Sequence, residues 1–257
     1  MPWSEWFKLM SPEGLLDVFD EVARAIGAAL EPLTGAERRA RTDRPGQYHL
    51  DTVADAAALR VLERTPVAVL SEESGWGGTA GAAVTVVIDP VDGSTNASRG
   101  IPYWSTSLCA MDGDGPLAAL VVNQVTGVTT TAVRGQGVWR DGQVVSPAKI
   151  ERVEEAVVAV SGAPARWLPW RQFRALGSAA LSLCDLAAGV VEGFVDSGST
   201  HAPWDYLGGL LACTEAGAVV VDAAGRSLHE IGPDVRRHLI GAATPALLEQ
   251  LRLTAEL

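Results

Sequence analysis

The stretch "VVIDPVDGSTN", residues 86–96, is an apolar run that ends in two aspartates, Asp89 and Asp92, followed by glycine and hydroxyls. Burying one carboxylate is costly, and clustering two is worse, unless something positive compensates both. A metal, an arginine or water around a polar turn would each answer the question. Pro90 and Gly93 favour a turn whatever its purpose, so an Asx-turn is the simplest structural explanation.

The metal reading accounts for more of the details. Hard carboxylate oxygens suit magnesium or manganese, whereas zinc and copper call for histidine or thiolate. On this reading Asp89 bridges two ions and Asp92 binds one of them. Pro90 fixes the turn so that the Val91 carbonyl also faces inward. Gly93 allows a substrate to approach the backbone, and Ser94, Thr95 and Asn96 open a helix or turn whose N–H groups can receive a phosphate. The spacing DxxDG lacks the alternating oxygen ligands of an EF-hand. Neither a GxxxxGK[ST] loop nor a GxSxG elbow occurs.

Working outward, residues 11–33, "SPEGLLDVFDEVARAIGAALEPL", carry apolar residues at helical spacing, with Ser11 as N-cap and Pro12 at the first position. A polar, arginine-rich stretch follows over residues 34–48. "HLDTVADAAALRVLERT" predicts a second helix starting near Asp51 or Thr52 and ended by Pro66. "PVAVLSEES" reads as a short strand running into acids, and "GWGGTAGAA" as a flexible glycine-rich link to the strand "VTVVIDP". Residues 105–145 predict an antiparallel meander punctuated by Asp112-Gly113 and Asp141-Gly142. Beyond it, "EEAVVAVSG" and "AVVVDAAG" read as strands. "SAALSLCDLAAGVVEGFV" reads as a helix passing into a strand, "APWDYLGGLLACTEAG" as a helix entered through Pro203, and "TPALLEQLRLTAEL" as a final helix. The change from meander to alternating strands and helices near residue 145 suggests a boundary between halves.

Four acidic groups thus fall where strands or loops meet helices: Asp55, the Glu72-Glu73 pair, Asp89 with Asp92, and Asp205. Taken singly, Asp55 reads as a solvated helix residue, Glu72 and Glu73 as strand-end charges, and Asp205 as a first-turn acid.

The chain has 257 residues and a net charge of -11, with a pI near 4.8. That length buries a substantial core, and the charge argues against binding nucleic acid or an anionic membrane. No segment supplies the roughly 18 unbroken apolar residues of a membrane span. The opening "MPWSEWFKLM" lacks the basic start and apolar run of a signal peptide, so the cytoplasm is expected. Cys109, Cys184 and Cys213 show no CxxC spacing and read as buried reduced thiols.

These pieces resemble a known family. "DPVDGSTN" resembles the DP(I/V)DGTTN signature of the inositol monophosphatase family, and "WDYLGGLLACTEAGAVVVDAAG" its WDxAAGxxLxxEAGGxVxDxxG signature. "SEES" is similar to its GEES, "TVAD" to its TxAD, and "GSAALSLCDLAAGVVEGFVD" to its GSAALxLxxVAxGxxDGYxE segment. The pieces stand in the family's order over residues 52–225.

The resemblance implies a mixed α and β chain with the layered αβαβα sugar-phosphatase fold. Its N-terminal α+β half (1–150) would carry most metal ligands and its C-terminal α/β half (151–257) the WD motif. It implies that Glu72, Asp89, the Val91 carbonyl, Asp92 and Asp205 hold two or three magnesium ions, with manganese as a substitute. Asp55 and Ser94 would form the acid-hydroxyl pair that orients and deprotonates water, with Glu72 also catalytic. Gly93, Ser94 and Thr95 would hold the phosphate through backbone N–H groups, and Ala179 and Asp196 would lie near the alcohol, with Asp92 and Asp205 also facing substrate. The implied activity is hydrolysis of a small phosphate monoester, an inositol monophosphate or related sugar phosphate, without a covalent phosphoenzyme. A homodimer and inhibition by lithium are implied as well.

The departures bear on substrate choice. Ser94 replaces the usual threonine, which keeps the hydroxyl without the β-branch. Asp51 stands where the family often has valine, and Arg44 near the position of a lysine. The segment "FVDSGSTHAPWD" carries about two extra residues, which brings His201 into play and puts Asp196 in question. Residues 162–176 form a shortened segment, and its Arg166, Trp167, Trp170 and Arg171 would recognise a second phosphate, stack on a base, or simply pack the loop. Phosphatases of 3'-phosphoadenosine nucleotides, nucleoside monophosphates, fructose bisphosphate or histidinol phosphate therefore remain alternatives. A catalytically idle regulator is another, although no implied metal ligand is missing.

Overall fold

The structure, a computed structural model, describes residues 10–254; the expectation about a signal peptide at residues 1–9 and the helical reading of residues 255–257 lie outside them. The first helix, α1 (Pro12–Leu30), starts as expected: Ser11 Oγ accepts from Gly14 N at 3.2 Å, and Leu15, Val18, Phe19, Val22, Ile26 and Leu30 form its buried stripe.

Inside the polar stretch a short helix forms, α2 (Gly35–Arg39), held by a reciprocal capping box between Thr34 and Glu37. α3 (His49–Leu62) begins earlier than the expected Asp51 or Thr52. Tyr48 precedes it, and its backbone N–H donates to Asp51 Oδ2 at 2.8 Å, so the acid sits within the first turn instead of before it.

Three strands and a helix follow: β1 (Ala68–Ser71), β2 (Gly75–Gly78), β3 (Thr85–Asp92) and α4 (Ser94–Arg99). β2 corrects the reading of residues 75–83 as a flexible link. Its residues pair antiparallel with β1, from Ser71↔Gly75 to Ala68↔Gly78. Backbone ladders need no side chains, and at Gly78 the close approach requires their absence, since a Cβ there would meet Val67 O at 2.4 Å.

The meander is as expected: β4 (Ser105–Asp112), β5 (Gly115–Asn123), β6 (Thr129–Val133), β7 (Gly137–Arg140) and β8 (Gln143–Val144). They complete an eight-stranded sheet of order β2-β1-β3-β4-β5-β6-β7-β8, antiparallel except where β1 meets β3.

The rest of the chain runs β9 (Val157–Ser161), β10 (Gln172–Arg174), α5 (Ala179–Ala187), β11 (Gly193–Asp196), α6 (Pro203–Ala216), β12 (Val219–Asp222), β13 (Leu239–Ala242) and α7 (Pro245–Leu251). Its strands form a second sheet of order β10-β9-β11-β13-β12. The sequence reading lacked two of them. β10 is three exposed residues, and β13 is buried on both faces, so neither alternates between apolar and polar.

Alternation along the strands builds five layers. Val86 and Ile88 of β3, with Leu108 and Ala110 of β4, pack against α1 and α3. Their neighbours Val87, Cys109 and Met111 face the other way, onto α5 and α6. Phe194, Ala159 and Leu239 of the second sheet close that central helical layer from beyond, while Val158, Val160 and Ile240 turn outward to α7. The order is therefore helices, sheet, helices, sheet, helix. Cys109, Cys184 and Cys213 are buried and unbridged, and burial pushes their thiols well up. Among the described residues no helix is long and apolar enough to cross a membrane.

Candidate active site

β3 delivers the paired aspartates. Its ladder with β4 runs in register to Asp89↔Ser107, then slips, so that Asp92 rather than Val91 faces Ser105. This bulge re-aims the end of the strand. Val91 N donates to Asp89 Oδ1 at 2.9 Å, and Thr106 Oγ1 donates to Pro90 O at 2.9 Å, so the expected Asx geometry and a partner strand both hold the turn. Gly93 then adopts φ 95°, and a Cβ on it would lie 2.8 Å from Gly177 O. Only glycine suits that backbone.

Asp89 meets two other acids that the sequence separates widely. Carboxylate oxygens of Glu72, just after β1, Asp89 of β3 and Asp205 in the first turn of α6 lie within 4.8 Å of one another. Burial pushes Glu72 up to about 8, with Asp205 and Glu73 adding to the effect. Asp205 rises to about 6, again through burial, with His201 opposing and Asp92 reinforcing the shift. Asp89 is driven well above the usual carboxylate range by burial and by Glu72, Asp92 and Asp205. Three hard oxygen donors that repel one another inside a protein suit a hard divalent cation, and magnesium or manganese fits that description.

Asp92 is turned elsewhere. Its carboxylate accepts a short hydrogen bond from Ser178 Oγ, and further bonds from Ala180 N at 2.9 Å and from Ala179 N and Ser105 Oγ at 3.3 Å. It thus sits at the N-terminus of α5, where the helix dipole favours an anion. Burial raises its pKa while Ser178 and Ala180 lower it. Ser178 and Ser105 were not singled out from the sequence; the usable signal was a serine directly preceding an apolar helical run.

The expected acid-hydroxyl pair is not joined in the structure. Asp55 Oδ1 accepts from Ser71 Oγ at 2.6 Å, and Ser94 Oγ donates instead to the Val91 carbonyl at 3.1 Å. Thr95 is exposed, its hydroxyl 3.4 Å from Tyr48 Oη. Arg44 reaches the carbonyls of Glu72 and Glu73 and pairs with the Glu73 carboxylate, which Gln47 also contacts.

Beside Asp92 and Asp205 opens a cavity of about 340 Å³, whose polar lining includes Ser161, Ser178, Ser182, Thr200 and His201. Ala179 lines it as well, whereas Asp196 does not. Asp196 is 2% exposed, and its Oδ2 lies 2.9 Å from His201 Nδ1. The extra residues before Trp204 therefore put the histidine, not the acid, on the cavity wall. Trp167 packs edge-on against Trp170 and Phe173, with centroids 5.4 and 4.9 Å away, and Trp170 and Phe173 lie tilted to each other at 6.5 Å. Asn96 Nδ2 donates to Tyr103 O and to Leu176 O, both at 2.7 Å, and ties the end of this segment to α4.

Comparison with known proteins bears on the family and the fold. The model of the inositol monophosphatase family matches residues 15–256. The fructose-1,6-bisphosphatase/inositol-1-monophosphatase of Archaeoglobus fulgidus is 35% identical over 212 residues, 79% of this chain and 82% of that protein. Nus factor SuhB of Vibrio cholerae is 28% identical over 82% of this chain and 86% of its own length. In fold, a Pyrococcus horikoshii protein described as similar to inositol-1 monophosphatase superposes with a TM-score of 0.86 at 24% identity, covering 96% of this chain and all of that one. With five matching layers, both signatures and a family match over nearly its whole length, the chain belongs to the inositol monophosphatase family, a family of phosphoric monoester hydrolases.

Proposed function

We propose that the protein hydrolyses a small phosphate monoester, an inositol monophosphate or related sugar phosphate, with magnesium. The observation that carries the reading is the approach of Glu72, Asp89 and Asp205 within 4.8 Å beside a cavity edged by Asp92 and Asp205. These residues, with the Val91 carbonyl and Asp92, would hold two or three magnesium ions, or manganese in their place. When bound, such ions supply the positive charge that a phosphate and its departing oxygen require.

The chain's own residues supply the rest. The backbone N–H groups of Gly93, Ser94 and Thr95 begin α4 at the strained turn, and they receive the phosphate oxygens. Asp92 braces α5, so that Ala179 stays on the cavity wall. Ser161, Ser182, Thr200 and His201 offer hydroxyls and an imidazole to the alcohol part of the ester. The cavity lies near the lower end of the roughly 300–1,000 Å³ usual for small ligands, and among the described residues no arginine or lysine lines it. Both points favour a hydroxyl-rich sugar or cyclitol over a nucleotide or a bisphosphate. A homodimer, lithium sensitivity, a cytoplasmic site of action and division into residues 1–150 and 151–257 belong to the same reading.

The test is phosphate release from inositol phosphates, sugar phosphates, fructose bisphosphate, 3'-phosphoadenosine 5'-phosphate, nucleoside monophosphates and histidinol phosphate, with magnesium and with chelator. Turnover of a monophosphate that chelator abolishes supports the reading. Turnover restricted to a nucleotide or bisphosphate overturns the substrate class, and silence across the panel overturns the activity.

A further inference from the structure

Ser161 and Asp196 close two neighbouring strands. β9 and β11 run parallel in the second sheet and end side by side at Asp196↔Ser161, and strand ends of this kind are where open α/β sheets bind ligands. His201 joins the two. Its Nδ1 lies 2.9 Å from Asp196 Oδ2; both atoms are buried, and among the described residues neither has a hydrogen-bond partner outside the pair. A carboxylate at Nδ1 keeps a proton there in the neutral and the charged ring alike, so Nε2 is the nitrogen left for the cavity, where Ser161 Oγ lies 3.4 Å away.

The surroundings fix that orientation. Phe194 packs edge-on to the imidazole, with ring centroids 5.9 Å apart. The His201 carbonyl accepts from Arg237 N at 2.8 Å, Asp196 Oδ1 accepts from Gly198 N at 3.3 Å, and the Asp196 carbonyl lies 2.8 Å from His238 Nε2. Ring and acid are thus anchored separately, and the ring has little rotamer freedom to lose when a ligand arrives.

The wall then selects a chemistry. Ser161, Ser182 and Thr200 line the cavity with His201, and a hydroxyl both donates and accepts. Nε2 donates when the ring is charged and accepts when it is neutral. A ligand hydroxyl meets Nε2 in either state, a carbonyl or carboxylate oxygen only in the charged one, and a hydrocarbon in neither.

We infer that His201 Nε2, with Ser161 Oγ, selects a free hydroxyl on the alcohol part of the ester, and that Asp196 is a positioning residue that acts through His201 Nδ1. Asp196 is itself out of the ligand's reach, being 2% exposed and off the cavity wall. The substrate class narrows to phosphate monoesters whose alcohol keeps a second hydroxyl. The inference rests on the phosphatase reading given above.

The test measures kcat and KM for the sugar or cyclitol phosphate that wild type turns over and for its monodeoxy analogues, in wild type, His201→Phe, Asp196→Ala and Asp196→Asn. In wild type, loss of one hydroxyl is expected to raise KM by about tenfold or more, because Nε2 is left unpaired. His201→Phe raises KM for the complete substrate by about tenfold with kcat within about threefold, and it shrinks the penalty for that same analogue to under about threefold. Asp196→Ala frees the ring and raises KM in the same selective way, whereas Asp196→Asn keeps an oxygen for Nδ1–H and returns KM to within about threefold of wild type. A loop with a merely structural role raises KM equally for every analogue. The inference is overturned by that pattern, by a wild type indifferent to every deoxy analogue, by a penalty that persists in His201→Phe, or by an effect confined to kcat. Circular dichroism checks that each variant folds; should His201→Phe not fold, His201→Asn, whose amide offers Asp196 a donor but lacks the far nitrogen, decides by the same measurements. Active wild type with no selectivity through His201 sinks this inference alone, whereas inactive wild type sinks the phosphatase reading and this inference with it.

Discussion

His201 Nδ1 stands 2.9 Å from Asp196 Oδ2, and the opposite edge of the ring, at Nε2, lies 3.4 Å from Ser161 Oγ on the cavity wall. Burial opposes the imidazolium, but the hydrogen bond and charge of Asp196, helped by Asp205 and Asp92, hold the group above its ordinary 6.5. The stabilisation from this pair is therefore complete below the ordinary value and is lost as pH rises through the higher folded one. Imidazole proton resonances followed against pH in the metal-free protein should give His201 a midpoint above 6.5, and Asp196→Asn should bring it down. A midpoint that ignores the substitution would show that the two groups are not linked.

The carboxylate cluster loses stability in the same direction of pH, and there a metal should reverse the loss. Glu72 near 8 and Asp205 near 6 are both above their ordinary values, so without metal they stay protonated further up the pH scale in the folded protein than in the unfolded one. Metal-free stability should accordingly fall as pH rises through about 6 and on through about 8. Magnesium, which binds the charged forms, should restore it, so that the gap in Tm between magnesium and chelator widens with pH. Thermal melts across that range check this; a gap that is constant with pH would contradict it.

Asp92→Asn should harm both folding and activity. The substitution removes the charge that accepts from Ala180 N, Ala179 N and two serine hydroxyls, and it sets an amide donor among donors. Losing charge-assisted bonds of this kind costs about 1.5 to 3 kcal/mol each at most, so a total loss of a few kcal/mol is expected. Urea unfolding measures it, and a variant as stable as wild type would rule out the bracing role.

Gly93→Ala should be destabilised by about 1–3 kcal/mol through its left-handed backbone. It should also displace the Gly177 loop, because the added methyl meets Gly177 O at 2.8 Å. As Gly177 lines the larger cavity, KM should rise along with the drop in Tm. An alanine variant with unchanged KM would mean that the loop and the turn are independent.

Local features were readable in the chain itself. Ser11, Pro12 and the stripe of α1 carry their own signals, and Asp89 with Asp92 declare a turn because Pro90 and Gly93 stand between and after them. Features made by backbone alone, or by distant segments, were not readable. β2 is four residues dominated by glycine, and only β1 tells it from a loop. The start of α3 was misread because Asp51, an ordinary first-turn acid by composition, reaches back to Tyr48 N. The pairing of Asp55 with Ser71 depends on how α3 lies over β1, and the attachment of Asp92 to α5 depends on how the two sheets enclose the central helices. Matching motifs identified the acids without revealing which hydroxyl each one faces.

The meeting of Glu72, Asp89 and Asp205 has a consequence for the chain as it leaves the ribosome. The first two acids emerge early, just after β1 and on β3, and the third only with α6, after the whole meander and three of the five strands of the second sheet have been made. A nascent or truncated chain that stops short of Ala202 lacks the third oxygen donor, the Ala202 N–H that steadies it at 2.6 Å, and the Asp205 edge of the cavity. On the proposed reading turnover would then begin only once the last of the three acids has packed home, so that a half-made chain would not act on passing phosphate esters.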